Sequence, residues 1–224
     1  MRGKKQIDSG KRKLKKRLIF FLLLMLSLVL LIQLKNAFIG SSCTIKKNLL
    51  IVNRSYSIDK GYVPDDLIEP SIPIAGEVIG EERQVDKKIL EPLKELFNEA
   101  SKNGYKLYLL SGYRSYNTQE DLYENKVKEN GQKYADLYVS KPGHSEHQSG
   151  LALDITNESR NFVNSEESYW LANNAHKFGF IIRYLNGKED ITGYNYEPWH
   201  IRYVGKEVAE EIFKRGITLE EYLN

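Results

Sequence analysis

Few residues of this chain are suited to chemistry, and most of them cluster. His147 and Asp154 stand seven positions apart in Ser145-Glu146-His147-Gln148-Ser149-Gly150-Leu151-Ala152-Leu153-Asp154. An imidazole and a carboxylate so spaced can share a metal ion, with His147 in a turn and Asp154 on the strand that follows. Apolar residues alternate here, so Leu151, Leu153 and Ile155 take one strand face while Ala152 and Asp154 take the other. A catalytic zinc takes three protein ligands and keeps a fourth position open, so a third ligand must come from elsewhere. The histidines are His144, His147, His176 and His200. His200 lies in Glu197-Pro198-Trp199-His200-Ile201-Arg202-Tyr203, where alternation sets His200 and Arg202 opposite Trp199, Ile201 and Tyr203. It is the expected third ligand. Glu197 then belongs beside the metal rather than on it, as general base for the attacking water.

The pattern Ser-x-His-x-x-Gly-x-Ala-x-Asp followed by Glu-x-x-His resembles that of the VanY-type D-alanyl-D-alanine carboxypeptidases. These are zinc peptidases of bacterial cell-wall metabolism, related to VanX-type dipeptidases and LdcB-like L,D-carboxypeptidases. The similarity runs from about Leu49 to the C-terminus and takes in Ser111-Gly112-Tyr113-Arg114-Ser115, the run from Phe178 to Tyr184 and that from Tyr194 to His200. No ligand or base position departs from the pattern. The resemblance implies a Zn2+ enzyme that removes the C-terminal D-Ala from peptidoglycan stem peptides, with L,D-carboxypeptidase action on tetrapeptide stems or D,D-dipeptidase action as near variants. It also implies that Arg114 clamps substrate or transition state.

The residues themselves carry part of that reading. Arg114 follows a glycine-bearing turn, and its planar fork of donors matches a carboxylate or an oxyanion; a surface ion pair is the plain alternative. Gln119 is a candidate hydrogen-bonding partner for the substrate, as is Ser145, which is alternatively a partner of the metal ligands. A triad of Ser145, His147 and Asp154 is disfavoured, because Ser and His two residues apart on one loop rarely aim at each other and no Gly-x-Ser-x-Gly elbow is present. His144 reads as a loop residue and His176 as a structural one. Zinc at the three ligands would bring the pKa of water from about 16 towards 7. Glu197 would take the proton and return it to the leaving amine, while zinc or Arg114 steadies the oxyanion or Arg114 holds the substrate's terminal carboxylate. A non-catalytic, zinc-stabilised wall-binding module is the competing class. Glu197 argues against it, since a structural site closes its coordination and has no use for a base.

The elements that must position these residues follow from pattern. Residues 1–17 hold nine Lys or Arg and one Asp, so the net charge of +3 hides a body, residues 18–224, with 24 basic and 29 acidic groups. That excludes a nucleic-acid partner, which needs a basic face on the folded part. Leu18 to Ile32 is a run of fifteen uncharged residues, extendable to 34, with the cationic cluster before it. It reads as a signal anchor over 18–34, with a cytoplasmic basic tail at 1–17 and an exported remainder. Residues 35–48 read as a linker. Their Cys43, the chain's one cysteine, rules out an intramolecular disulfide and reads as an incidental thiol rather than a lipid-bearing one. Residues 49–224 form the catalytic domain, expected to be monomeric.

Within the domain, Leu49 to Asn53 reads as a first strand and 54–80 as irregular covering chain. A helix runs from about Asp86 to Gly104, with Pro92 kinking it or marking its true start. Then come a strand from Tyr105 to Leu110, a helix from Thr118 to Asn130, the two ligand strands, a helix from Glu166 to Phe178, a strand from Phe180 to Tyr184 and a polar connection over 186–192. A helix from Lys206 to Arg215 and a short turn capped by Thr218 close the chain. The fold class is α+β, a mainly antiparallel sheet with helices covering one face and the zinc cleft on the other.

Overall fold

The alternation around Asp154 and around His200 is realised as two neighbouring antiparallel strands. In the computed structural model, which describes residues 20–21, 23–33 and 49–224, strand β4 (Ala152–Thr156) pairs with β6 (Glu197–Tyr203) so that Asp154 lies directly opposite His200. Strand β3 (Tyr108–Ser111) flanks β4 and β5 (Phe180–Tyr184) flanks β6, giving a four-stranded antiparallel sheet in the order β3-β4-β6-β5. Ser111 pairs with Asp154, so Ser111, Asp154 and His200 form one row across three strands. A slip of one residue would send His200 to the other face. A small ribbon of β1 (Leu67–Ile68) and β2 (Val85–Asp86) lies within the covering chain.

Leu109, Leu153, Ile155, Phe180, Ile182 and Ile201 pack in the core with Leu93, Leu96, Phe97 and Ala100 of helix α1 (Leu90–Lys102). Leu93, Leu96, Leu153 and Ile155 are fully buried, each worth about 1.5–3 kcal/mol. Leu171 of helix α4 (Glu166–Asn174) and Ala175 join the same core. Pro92 falls in the first turn of α1, where its missing N–H costs nothing, so it marks the start rather than a kink. The helix over Glu166 and beyond is α-helical to Asn174 and tightens to a 3-10 turn, Ala175–Phe178, before Gly179 at φ 88°.

Helix α2 (Tyr116–Asn130) starts two residues before the expected Thr118, because Ser115 accepts a hydrogen bond from the Thr118 backbone N–H at 3.3 Å. Helix α3 (Gln132–Tyr138) was not expected: among its residues Ala135 alone is fully buried, too little apolar pattern to announce it. The polar connection over 186–192 holds a short helix α5 (Glu189–Thr192). Helices α6 (Lys206–Arg215) and α7 (Leu219–Leu223) lie where expected, and Thr218 with Glu221 makes a capping box on α7.

One expected strand does not form. Leu49 to Asn53 is not a strand. Two of its carbonyls are met by side chains instead of a neighbouring strand, Leu50 by Arg202 Nη2 at 2.6 Å and Asn53 by His144 Nδ1 at 2.7 Å, and Asn53 Oδ1 accepts from the Ser55 and Tyr56 N–H groups of the turn that follows. An Asx turn of that kind competes with a ladder.

The chain divides into two units, Met1–Leu49 and Leu50–Asn224. Residues 20–21 and 23–33 are helical and exposed, and among the described residues no helix is long and apolar enough to cross a membrane. The basic tail 1–17, the linker 35–48 with Cys43, and residues 18, 19, 22 and 34 of the expected anchor lie outside the described residues.

Candidate active site

His147 sits in a 3-10 turn, Glu146–Ser149, closed by Gly150 in the left-handed region at φ 67°. Its Nδ1 is 2.7 Å from the Gly112 carbonyl, which can only accept, so Nδ1 carries a hydrogen and Nε2 is the nitrogen turned to the cluster. That nitrogen faces Asp154 Oδ2 at 3.5 Å. His200 approaches with its other nitrogen: Nδ1 is 3.0 Å from Asp154 Oδ1 and 3.9 Å from Glu197 Oε2. One ligand atom from each of His147, Asp154 and His200 lies within 4.8 Å of the others. Two imidazoles and a carboxylate at that separation suit zinc, and the rings stand edge to face 5.0 Å apart.

The electrostatics of the cluster pull in opposite directions. Burial opposes ionisation of Asp154, yet the two histidines hold its carboxyl far below the usual range. Burial would lower His200, but Asp154 and then Glu146 outweigh it and raise its pKa to about 9. Asp154 thus favours a positive charge on the His200 side of the cluster, which a divalent cation supplies as well as a proton does. Glu197 differs. Burial foremost, helped by Asp154 and Glu146 and resisted by His200, raises it to about 7. Such an acid can exchange protons near neutrality.

Arg114, His147, Asp154, Glu197 and His200 line one cleft of about 220 Å³, together with Gln119, Ser145, Tyr184, Tyr194 and Trp199. Arg114 is held on three sides: Nε donates to Glu82 Oε1 at 2.7 Å, Nη1 to Gln119 Oε1 at 3.0 Å and Nη2 to Ser111 Oγ at 2.8 Å. Gln119 is buried and also donates to the Ser140 carbonyl at 2.7 Å. Gln119 thus lines the cleft, as a substrate partner must, and its amide also braces Arg114. Ser145 is buried at the cleft wall. His144 bonds the Asn53 carbonyl at 2.7 Å outside the cleft, and His176 stacks on Phe213 with centroids 3.7 Å apart.

The loop bearing Arg114 is strapped down by backbone bonds, Gly112 N–H to Glu82 O and Tyr113 N–H to Gln84 O, both 2.7 Å. Gly112 is required there: a Cβ would lie 2.2 Å from the Gln84 carbonyl oxygen.

A model of the VanY family, D-alanyl-D-alanine carboxypeptidase, matches residues 82–206, over half of the chain. The chain belongs to the VanY family. Among curated relatives it is 44% identical over 180 residues to the putative carboxypeptidase YodJ of Bacillus subtilis, covering 78% of this chain and 66% of that protein. It is 37% identical over 186 residues to a D-alanyl-D-alanine carboxypeptidase of Enterococcus faecalis, covering 79% and 66%. The chain thus spans just under two thirds of the length of these relatives. Among solved structures it is similar to the LdcB LD-carboxypeptidase, with TM-score 0.74, 42% identity and 80% and 86% of the two chains covered. It is also similar to a variant of the vancomycin-resistance D,D-pentapeptidase VanY in complex with Zn(II), with TM-score 0.67, 37% identity and 78% and 98% covered.

Several site residues of this VanY-family chain had escaped the sequence reading. Glu82 holds Arg114 from 32 positions away, with no local signal. Behind the candidate ligands lies a buried chain of charge: Arg183 Nε and Arg202 Nη1 each donate to Glu146 Oε1 at 2.8 Å, and Arg183 also forks onto Glu220 at 2.6 and 2.9 Å. The alternation that put His200 on the cleft face put Arg202 there too. An arginine inside the apolar run Phe-Ile-Ile-Arg-Tyr was the other visible sign of a partner.

Proposed function

We propose that this chain is a zinc carboxypeptidase that removes the C-terminal D-Ala from peptidoglycan stem peptides. The observation that carries the reading is an acid with a pKa of about 7, Glu197, set beside a donor set of two imidazoles and a carboxylate in one cleft. His147 Nε2, Asp154 and His200 Nδ1 would hold the ion, which when bound supplies a Lewis acid and brings the pKa of water towards neutral. Glu197 takes the proton of the attacking water and gives it to the leaving amine. Arg114, fixed by Glu82, Gln119 and Ser111, presents a guanidinium to an anion: the substrate's terminal carboxylate, or the oxyanion formed at the scissile carbonyl. A grip on a free carboxylate favours action at chain ends. Ser145 on the cleft wall is in place to hydrogen-bond the peptide.

Action on tetrapeptide stems, as an L,D-carboxypeptidase, is the second reading, supported by the likeness to LdcB at a TM-score of 0.74. Mass spectrometry of stem peptides ending in D-Ala-D-Ala or in a single D-Ala, incubated with the protein, separates the two. Glu197→Gln should retain zinc and lose on the order of 10²-fold or more in turnover. Near-normal kcat in that variant would remove Glu197 from the mechanism.

The nine Lys and Arg of residues 1–17, set before the uncharged run from Leu18 to Ile32, support an anchor at 18–34 with the domain on the wall side. Protease added outside intact cells should then digest 49–224 and spare the tail.

A further inference from the structure

Glu146 is the buried charge of the cleft that the hydrolytic reading leaves unused. Its side chain is fully buried, one position before His147. Oε1 accepts from both Arg183 and Arg202, which leaves Oε2 pointing away from the guanidinium pair. Oε2 has no hydrogen-bond partner, and it faces His200 Nε2, 3.5 Å away, which has none either. These two atoms make up half of the four buried side-chain polar atoms left without a hydrogen bond among the described residues, and they face each other.

A guanidinium only donates, so Oε1 must stay an acceptor, and that fixes the orientation of the whole carboxylate. A carboxylate oxygen only accepts from an imidazole, and both His200 nitrogens face one; a cation shared by Nδ1 and Asp154 would displace the hydrogen between them, which leaves hydrogen on Nε2 toward Glu146. The other nitrogen, Nδ1, is the one turned to Asp154. Resting on the zinc reading above, we infer that Glu146 is a positioning residue for the metal: it holds His200 with hydrogen on Nε2 and the lone pair of Nδ1 free to coordinate. Arg183 and Arg202 lock the carboxylate in that pose, themselves anchored on Glu220 and on the Leu50 carbonyl. The two histidines are thereby presented through opposite nitrogens, His147 by the Gly112 carbonyl and His200 by Glu146.

Glu146→Gln tests this because the amide is nearly isosteric yet has the wrong polarity. The guanidinium pair demands an acceptor, so the amide oxygen stays with Arg183 and Arg202 and the NH2 group turns to His200. An NH2 donor there requires the lone pair of Nε2, which drives the hydrogen to Nδ1 and takes that nitrogen from the metal. Zinc affinity of the full chain, read by chelator competition, should fall by about 10–100-fold. Nitrogen-15 imidazole spectra of the zinc-loaded wild type should show His200 protonated on Nε2 and coordinated through Nδ1, with His147 the reverse. A Glu146 that merely anchors arginines gives a lowered Tm with zinc affinity unchanged in Glu146→Gln, and that result overturns the inference. Should the variant not fold, the wild-type spectrum decides. His200 coordinated through Nε2 removes this inference alone, whereas a wild-type chain that takes up no zinc removes the zinc reading with it.

Discussion

The two faces of the central sheet are both buried and are held in opposite ways. On one, Leu109, Leu153, Ile155 and Ile201 are fully buried against α1, and each contributes by leaving water. On the other, Arg183 and Arg202 are just as buried, but each is tolerated only because Glu146, Glu220 or a backbone carbonyl answers it. Apolar contacts are non-directional, so that face can lose a methyl group and settle. The polar face is a chain of specific pairs, and removing one member strands its neighbour in a place without water. The face that is harder to build is the one that carries Asp154 and His200, because it can aim an imidazole.

The largest break in that contrast should come from Arg183→Ala, which leaves Glu146 and Glu220 short of a partner. We expect a loss of about 3–5 kcal/mol in urea unfolding, the range for splitting a buried pair. A loss below that of a methyl deletion on the apolar face would erase the distinction between the faces.

Next in size is Arg114→Lys at the cleft, where charge survives but the fork of donors does not. The expected cost in kcat/KM is about 1.5–3 kcal/mol, typical of hydrogen bonds to charged groups. A raised KM with kcat kept means that Arg114 holds the terminal carboxylate; equal falls in kcat and kcat/KM mean that it serves the transition state. An unaltered kcat/KM would put Arg114 outside the site.

Ile155→Val samples the apolar face and should cost about 0.5–1.5 kcal/mol with zinc affinity intact. Loss of zinc in this variant would mean that the two faces are mechanically coupled.

The smallest effect near neutrality concerns pH. Burial works against the charge of Glu220, but the hydrogen bonds and charge of Arg183 prevail and hold its pKa below the ordinary 4.5. A carboxyl with a depressed folded pKa contributes stability that is full above the unfolded value and is lost as pH falls through the lower folded one. The Tm difference between wild type and Glu220→Gln should therefore be flat from about pH 8 to 5 and shrink below about 4.5. A difference that stays constant through acid would show that the Glu220 charge plays no part.

Much of this was legible in the chain because it is local. The 2.0-residue period of a strand placed Asp154 and His200 on one face together with Arg202, and glycines and caps located the turns and most helix ends. Spacing and the family pattern together singled out the candidate ligands and Glu197. What local pattern cannot carry is register and long-range pairing. That Asp154 faces His200 across 46 positions, that Glu82 holds Arg114 and that Arg202 takes over the Leu50 carbonyl where a strand was expected are decided by how strands and loops dock. Nor does any sequence period say which imidazole nitrogen points inward. That follows from whichever acceptor stands behind each ring, Gly112 or Glu146, and those acceptors come to the site only once the chain has closed around it.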